Sequence, residues 1–301
     1  MRFFDLQVNG GFGVDFSNPN LTADDALRCI EKILARGVTR FLPTVVTSSK
    51  ELYARNLPLL NQVIDSHGLR YALPGFHLEG PFISSVPGAV GAHNPNWVQA
   101  PSVEALDELN RCAEDHIAML TVAAELPGVR EMIRHAHDLG IVVSLGHELA
   151  TAEEIRAAGA DTMTHLGNGL PNLIDRHRNP IWAGLSTDEL PIMAITDGHH
   201  LPADVIKCFL RCKGVDKFIV VSDAANIAGL PPGHYRTFSN DAVLEPNGLY
   251  HNPQKGCLVG SSSLLPDCAE FLRREKLLSE EEIERVCWIN PHRLMKLSPE
   301  P

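Results

Sequence analysis

Positive charge is in short supply: 26 Lys and Arg stand against 37 Asp and Glu, leaving a formal net charge of -11 over 301 residues. Nonspecific attachment to nucleic acid or to an anionic membrane surface needs clustered basic residues, so neither partner is expected. An anionic substrate would need local cations to overcome the overall field. No apolar run reaches membrane-spanning length. The opening MRFFDLQV turns polar too soon for a secretory signal. Among the seven cysteines there is no CxxC pair, and none lies beside a histidine at finger-like spacing. Their odd number, and the one-turn spacing of Cys208 and Cys212, predict reduced, packed thiols and a cytoplasmic setting. Repeats, low-complexity tracts and Pro/Ser linkers are missing too, so residues 1–301 read as one domain. What is present is an ordinary globular composition, 44% hydrophobic and 21% charged, enough for a sizeable core.

Strand-length apolar runs recur along the chain. FFDLQV, FLPTVVT, ALPGFHLEG, IAMLTVAAE, IVVSLGH, DTMTHL, PIMAITDG and KFIVVSDA make eight. Helical patterns such as TADDALRCIEKILARG, SVEALDELNRCAE, VREMIRHAHDLG, TAEEIRAAG and PADVIKCFLRC fall between several of them. Thr22 can cap the first helix and Gly37 can end it. Sustained strand–helix alternation predicts an α/β fold with a parallel sheet, and eight units predict closure into a (β/α)8 TIM barrel. An excursion over 224–260, rich in Gly, Pro and Asn, predicts a hairpin, and two amphipathic helices follow it. In the first strand, simple alternation places Asp5, Gln7 and Asn9 on one face and Leu6 and Val8 on the other.

Polar residues gather at the strand ends. His77 and Glu79 end the third run, Glu125 the fourth, His147 the fifth, His165 the sixth, Asp197 the seventh and Asp223 the eighth. Barrel enzymes build their sites at this rim from several strands. One Glu and two His can supply three ligands to Zn2+ and leave the fourth position for water. The pKa of such a water falls to about 7, and a carboxylate outside the ligand set, such as Asp223, can carry its proton.

The segments FHLEGPF…GAHNP, VSLGH, THLGNGLPN, ITDGHH, VSDAANIAGLPPGHY and GSSSLLPD, with DLQVNGG before them and NPHRLMKL after, resemble in order the motifs of N-acetylglucosamine-6-phosphate deacetylases. Those enzymes are metal-dependent barrel hydrolases of the amidohydrolase superfamily. The resemblance implies that Glu79, His147 and His165 ligate one divalent metal, Zn2+ first, with Fe2+, Mn2+ or Co2+ compatible. It implies that Asp223 is the catalytic acid/base, that His93 contacts the sugar and can assist at the oxyanion, and that Asn168 and the backbone of Gly169 face the phosphate end. His200 matches a substrate- and phosphate-contacting histidine, and Arg178 a phosphate-binding arginine offered across a homodimer interface. The expected partner is a small amino sugar phosphate, deacetylated to the free amino sugar phosphate and acetate.

Three departures qualify the likeness. Gln7 and Asn9 stand where the superfamily at large has a His pair for a second metal, and neutral amides are poor Zn2+ ligands, so one metal is expected. His77 is expected to orient Glu79 rather than to ligate. The small β-sandwich domain usual in the family has no counterpart in the chain. Gly167 and Gly169 replace an aromatic and an alanine, which implies a wider pocket or a looser phosphate loop. Other amides remain alternative substrates, such as an unphosphorylated amino sugar or an N-acyl compound. The rival of another class is a sugar-phosphate-binding barrel without catalysis. Asp197 is open between a turn and a site role; His199, His135 and His137 read as bystanders.

Overall fold

The computed structural model describes residues 1–237, 240–254 and 257–299. Eight parallel strands form one sheet in strict sequence order: β1 (Phe4–Val8), β2 (Arg40–Val46), β3 (Phe76–Glu79), β4 (Ile117–Val122), β5 (Val142–Leu145), β6 (Thr162–Met163), β7 (Ile192–Ile195) and β8 (Phe218–Val221). Seven helices alternate with them: α1 (Ala23–Ala35), α2 (Lys50–Ser66), α3 (Val103–Cys112), α4 (Val129–Asp138), α5 (Ala152–Ala158), α6 (Pro180–Ser186) and α7 (Ala203–Lys213). The eighth, α8 (Leu265–Arg274), follows the excursion after β8. This is the (β/α)8 barrel expected. Its seam closes between first and last strands, where Asn9 N–H donates to the Ala224 carbonyl at 2.8 Å.

Local chemistry sets the helix starts. Thr22, Ser49, Ser102 and Thr151 each accept a first-turn N–H, satisfying groups a helix otherwise leaves unpaired. Helices α2 and α6 add to those legible in the sequence: Pro58 interrupts the pattern of the first, and the second spans under two turns. Cys208 and Cys212 are free thiols on α7 but exposed rather than packed. No helix among the described residues is long and apolar enough to cross a membrane.

The barrel interior is layered. Phe4, Leu6, Leu42, Met119, Met193 and Ile219 fill its lower part, and Trp288 closes the bottom. Trp288 sits in a π-helical turn, Arg285–Ile289, between α9 (Glu280–Glu284) and α10 (Asn290–Leu294). Above this lies a belt of buried hydroxyls and one imidazole. Thr121 bonds His77 Nε2 at 2.7 Å and Thr164 at 2.8 Å, and Thr164 bonds Ser144 at 2.6 Å.

Strand β1 departs from simple alternation. Its register against β2 runs Phe4↔Arg40, Asp5↔Phe41, then Val8↔Pro43, so one extra residue is accommodated between Asp5 and Val8. Such a bulge re-aims the side chains beyond it. Leu6 stays in the interior apolar layer while its neighbour Gln7 also reaches the rim site. Asp5 therefore does not share a face with Gln7 and Asn9: its carboxylate accepts from Gln7 N, Ser222 N and Ser222 Oγ across the seam.

The excursion after β8 is larger than the hairpin expected. Strands β9 (Gly233–Thr237), β10 (Asn240–Leu244), β11 (Tyr250–Asn252) and β12 (Cys257–Leu258) form a four-stranded antiparallel sheet. Ala242, Leu244 and Tyr250 pack on Ala225, Ile227 and Val259, holding this sheet on the rim.

Candidate active site

Glu79 is the last residue of β3, and four further polar residues share one offset. His147, His165, Asp197 and Asp223 each lie two residues beyond the final residue of β5, β6, β7 and β8. In three of them the backbone is left-handed, with φ of 50° at His147, 27° at His165 and 50° at Asp223. Non-glycine residues seldom hold such angles, and they concentrate where a side chain must be turned into a site.

Glu79, His147, His165 and Asp223 open into a cavity of about 540 Å³ at the C-terminal rim. Asn9, Glu79, His93, His147, His165, Asn168, Gly169, His200 and Asp223 line it, nine of the residues singled out in the sequence. Gln7 and His77 are wholly buried beside and beneath it. Arg178 is exposed and outside this lining, its N–H held by Asp175 at 2.7 Å.

At the centre three donor atoms converge. Glu79 Oε1 lies 2.8 Å from His165 Nε2 and 3.1 Å from His147 Nε2, and the two nitrogens are 3.2 Å apart. His93 Nε2 stands 3.3 Å from His147 Nε2, and Glu79, His93 and His147 also form a group able to hold a metal ion. The sequence assigned His93 to the sugar; the geometry brings it to the edge of the donor cluster as well. Tetrahedral sites with Zn–N bonds near 2.0 Å separate their ligand atoms by about 3.3 Å, so the spacing fits. The tautomer fits too: His147 Nδ1–H donates to the Ala89 carbonyl at 2.8 Å, which leaves Nε2 with its lone pair inward.

The carboxylates carry opposite perturbations. Burial alone would raise Glu79, but the His147 and His165 side chains against it hold it well below the usual carboxylate range. Burial and the neighbouring Glu79 charge push Asp223 up to about 6. Burial lowers His77 to about 4 and His93 to about 3, so both are neutral imidazoles. For His165, burial pulls downward, yet the hydrogen bond and charge of Glu79 outweigh it and raise the group. Paired titratable groups pushed apart in this way are the mark of acid–base work.

Gln7 and Asn9 act as donors. Gln7 Nε2 reaches Glu79 Oε1 at 2.8 Å and Asp223 Oδ1 at 3.1 Å, while Asn9 Nδ2 reaches Asp223 Oδ1 at 2.7 Å. His77 bonds Thr121 and stays out of the donor cluster. Gly169 and Gly167 both hold left-handed backbone angles, with φ of 62° and 94°. A Cβ at Gly169 would stand 2.8 Å from His147 Nδ1, and one at Gly167 would stand 3.1 Å from Leu201. Two residues carried no distinctive signal in the sequence. Glu148, buried and pushed up to about 8, accepts Ala124 N–H and joins the ends of β4 and β5. Ser261, in GSSSLLPD, bonds Asp197.

No protein-family model matches the chain. N-acetylglucosamine-6-phosphate deacetylases of Bos taurus and Danio rerio are 34% and 32% identical to it, each over 98% of this chain and 74% and 75% of the relative. An N-acetylgalactosamine-6-phosphate deacetylase of Escherichia coli O157:H7 is 31% identical over 86% of this chain and 68% of the relative. The crystal structure of the N-acetyl-D-glucosamine-6-phosphate deacetylase of Mycobacterium smegmatis superposes with a TM-score of 0.88 at 26% identity, covering 98% of this chain and 78% of that one. The Thermotoga maritima deacetylase gives 0.85 at 29% identity, covering 98% and 78%. By fold, by site and by these relatives, the chain belongs to the N-acetylglucosamine-6-phosphate deacetylase family of the amidohydrolase superfamily.

Proposed function

We propose that this chain hydrolyses the acetamide of N-acetylglucosamine 6-phosphate, giving glucosamine 6-phosphate and acetate. The observation that carries this reading is the convergence of Glu79, His147 and His165 within 3.2 Å of one another beside a raised Asp223. One divalent ion, Zn2+ by the mixed carboxylate–imidazole donor set, would be held by those three residues. When bound, it supplies Lewis-acid polarisation of the amide carbonyl and activation of water. Asp223 takes the proton of the attacking water and returns it to the departing nitrogen. Both amide donors converge on its Oδ1, which leaves Oδ2 for the proton. Neutral His93 is placed to donate to the developing oxyanion. The N–H groups of Gln7 and Asn9 meet the two carboxylates where a second cation would otherwise approach, which supports a single metal.

Asn168, the backbone of Gly169 and His200 form the cavity wall over β6 and β7, and we assign the phosphate end of the substrate to it. Arg178 lies on a loop beside two exposed apolar side chains, Leu173 at 92% and Trp182 at 54% exposure. That pairing supports a homodimer in which Arg178 serves the partner's cavity. We read residues 1–301 as one barrel domain acting in the cytoplasm.

The galactosamine-type relative favours a second reading, deacetylation of the C4 epimer. A substrate panel on metal-defined protein separates the possibilities. Turnover of N-acetylglucosamine 6-phosphate should exceed that of the unphosphorylated sugar by more than about tenfold, or ~1.4 kcal/mol. A smaller ratio defeats the roles given to His200 and Arg178, and preference for the galacto epimer selects the second reading. Elemental analysis should return about one metal per chain.

A further inference from the structure

Asp197 begins the ITDGHH motif, and its carboxylate is fully engaged without touching the cavity. Oδ1 accepts the N–H groups of His199 at 2.8 Å and His200 at 2.9 Å. Oδ2 accepts His200 Nδ1–H at 2.7 Å and Ser261 Oγ–H at 3.1 Å. Four donors occupy the roughly four acceptor positions of a carboxylate. The side chain is 2% exposed. These donors, outweighing burial, hold its carboxyl well below the usual range. Asp197 therefore has nothing left to offer a substrate or a metal. What it does is dictate which nitrogen of His200 carries a proton, because Nδ1–H is committed inward while the ring lines the cavity.

Ser261 extends this arrangement to the proton carrier. Its hydroxyl holds Asp197, its N–H donates to the Asp223 carbonyl at 3.0 Å, and its own carbonyl accepts Ala225 N–H at 2.8 Å. The two backbone bonds flank Asp223, whose left-handed φ of 50° needs such support. One serine thus ties the residue that orients His200 to the residue assigned the proton transfer. The GSSSLLPD segment, which holds none of the metal ligands, gains a role.

We propose that Asp197 is a positioning residue, steadied by Ser261, that holds His200 Nδ1–H inward and turns the Nε2 edge into the cavity, where an Nε2–H can donate to the anionic end of the substrate. The kinetic part rests on the reading above that His200 meets the phosphate; the tautomer part does not. Asp197 bonds His200 directly, Ser261 stands behind Asp197, and Asp223 at the adjoining strand end interacts with His200 through its charge.

Two measurements test it. In nitrogen-15 spectra of the metal-loaded wild-type protein without substrate, His200 should carry its proton on Nδ1. Asp197→Asn should change that pattern; an unprotonated Nδ1 in wild type, or a pattern unmoved by the substitution, overturns the proposal. In kinetics, Asp197→Asn should raise KM for N-acetylglucosamine 6-phosphate by about tenfold with kcat within about threefold. Its effect on the unphosphorylated sugar should be negligible. In a double-mutant cycle, Asp197→Asn should add little to His200→Ala. Equal losses on both sugars, or full additivity, defeat it. Ser261→Ala, with Ser261→Thr as rescue, gives the same comparison should Asp197→Asn fold poorly. If wild type does not turn over the phosphorylated sugar, the functional reading falls, and the spectra alone decide Asp197.

Discussion

His147, His165 and Asp223 hold backbone angles that cost of order 1–3 kcal/mol each, offset by the packing around them. That conformation turns each side chain from the rim into the cavity. Asp223→Asn should lower kcat by about 10²- to 10⁴-fold while metal content, read by elemental analysis, stays unchanged. A near-normal rate would remove Asp223 from the mechanism. Asp223→Gly should be equally inactive yet melt no lower than wild type, because glycine accepts the φ of 50° without strain. In wild type the carboxylate must be ionised to accept a proton. Activity should therefore fall as pH drops through Asp223's pKa, raised to about 6 by burial and Glu79. A bound dication lowers that midpoint, so an acid limb centred above about pH 7 contradicts the assignment. The residue types at the strand ends were legible because each chemistry needs its own donor. The backbone angles were not, since His and Asp are common in ordinary turns. Nor was Asp197 resolved: its turn role and its hold on His200 are the same set of hydrogen bonds.

At the scale of elements, eight strands were legible from apolar runs, and most helices from their periodicity and caps. Strand β1 was misread because a bulge leaves no mark on a period of two. Its extra residue lets Leu6 serve the apolar layer while Gln7 serves the site, and the Asp5 carboxyl braces the distortion by accepting Gln7 N–H. Burial raises Asp5 from 3.8 to about 7. The folded state thus favours the uncharged acid more than the unfolded chain does. Its contribution to stability is fully present below about pH 4, declines as pH rises, and is gone above about pH 7. Asp5→Asn, neutral at every pH, should remove this decline. Urea unfolding at pH 5 and pH 8 should show wild type losing up to about 3 kcal/mol more than the variant. Parallel slopes in the two proteins would mean that Asp5 ionises in the fold as freely as outside it.

For the whole molecule, the alignment with curated relatives leaves about a quarter of each relative beyond it. The proposed metal ligands and Asp223 nevertheless all stand at the rim of the barrel. Of the residues proposed to bind substrate, Arg178 alone lies outside the cavity lining. Sequence alone could place it only through resemblance, since a contact across subunits leaves no periodic trace. Complementation tests it. Arg178→Ala and Asp223→Asn proteins, each inactive or impaired alone, should regain about a quarter of wild-type activity after mixing and subunit exchange, because half the dimers are hybrid and each hybrid holds one intact site. No recovery, with exchange confirmed by sedimentation of tagged chains, would place Arg178 outside the reaction.

The barrel's seam bears on how the protein is made. Glu79, His147 and His165 emerge from the ribosome after Gln7 and Asn9 and before Asp223. Asp223 comes later, and its partners Gln7 and Asn9 come first, 216 and 214 positions away. Asp223, the proposed proton carrier, is therefore set in place only when the two ends of the sheet meet, with Ser261 arriving later still to brace it. A nascent chain stalled before residue 223 carries every proposed metal ligand but not the proposed acid. In the order of translation, the means to capture an ion precedes the means to use it.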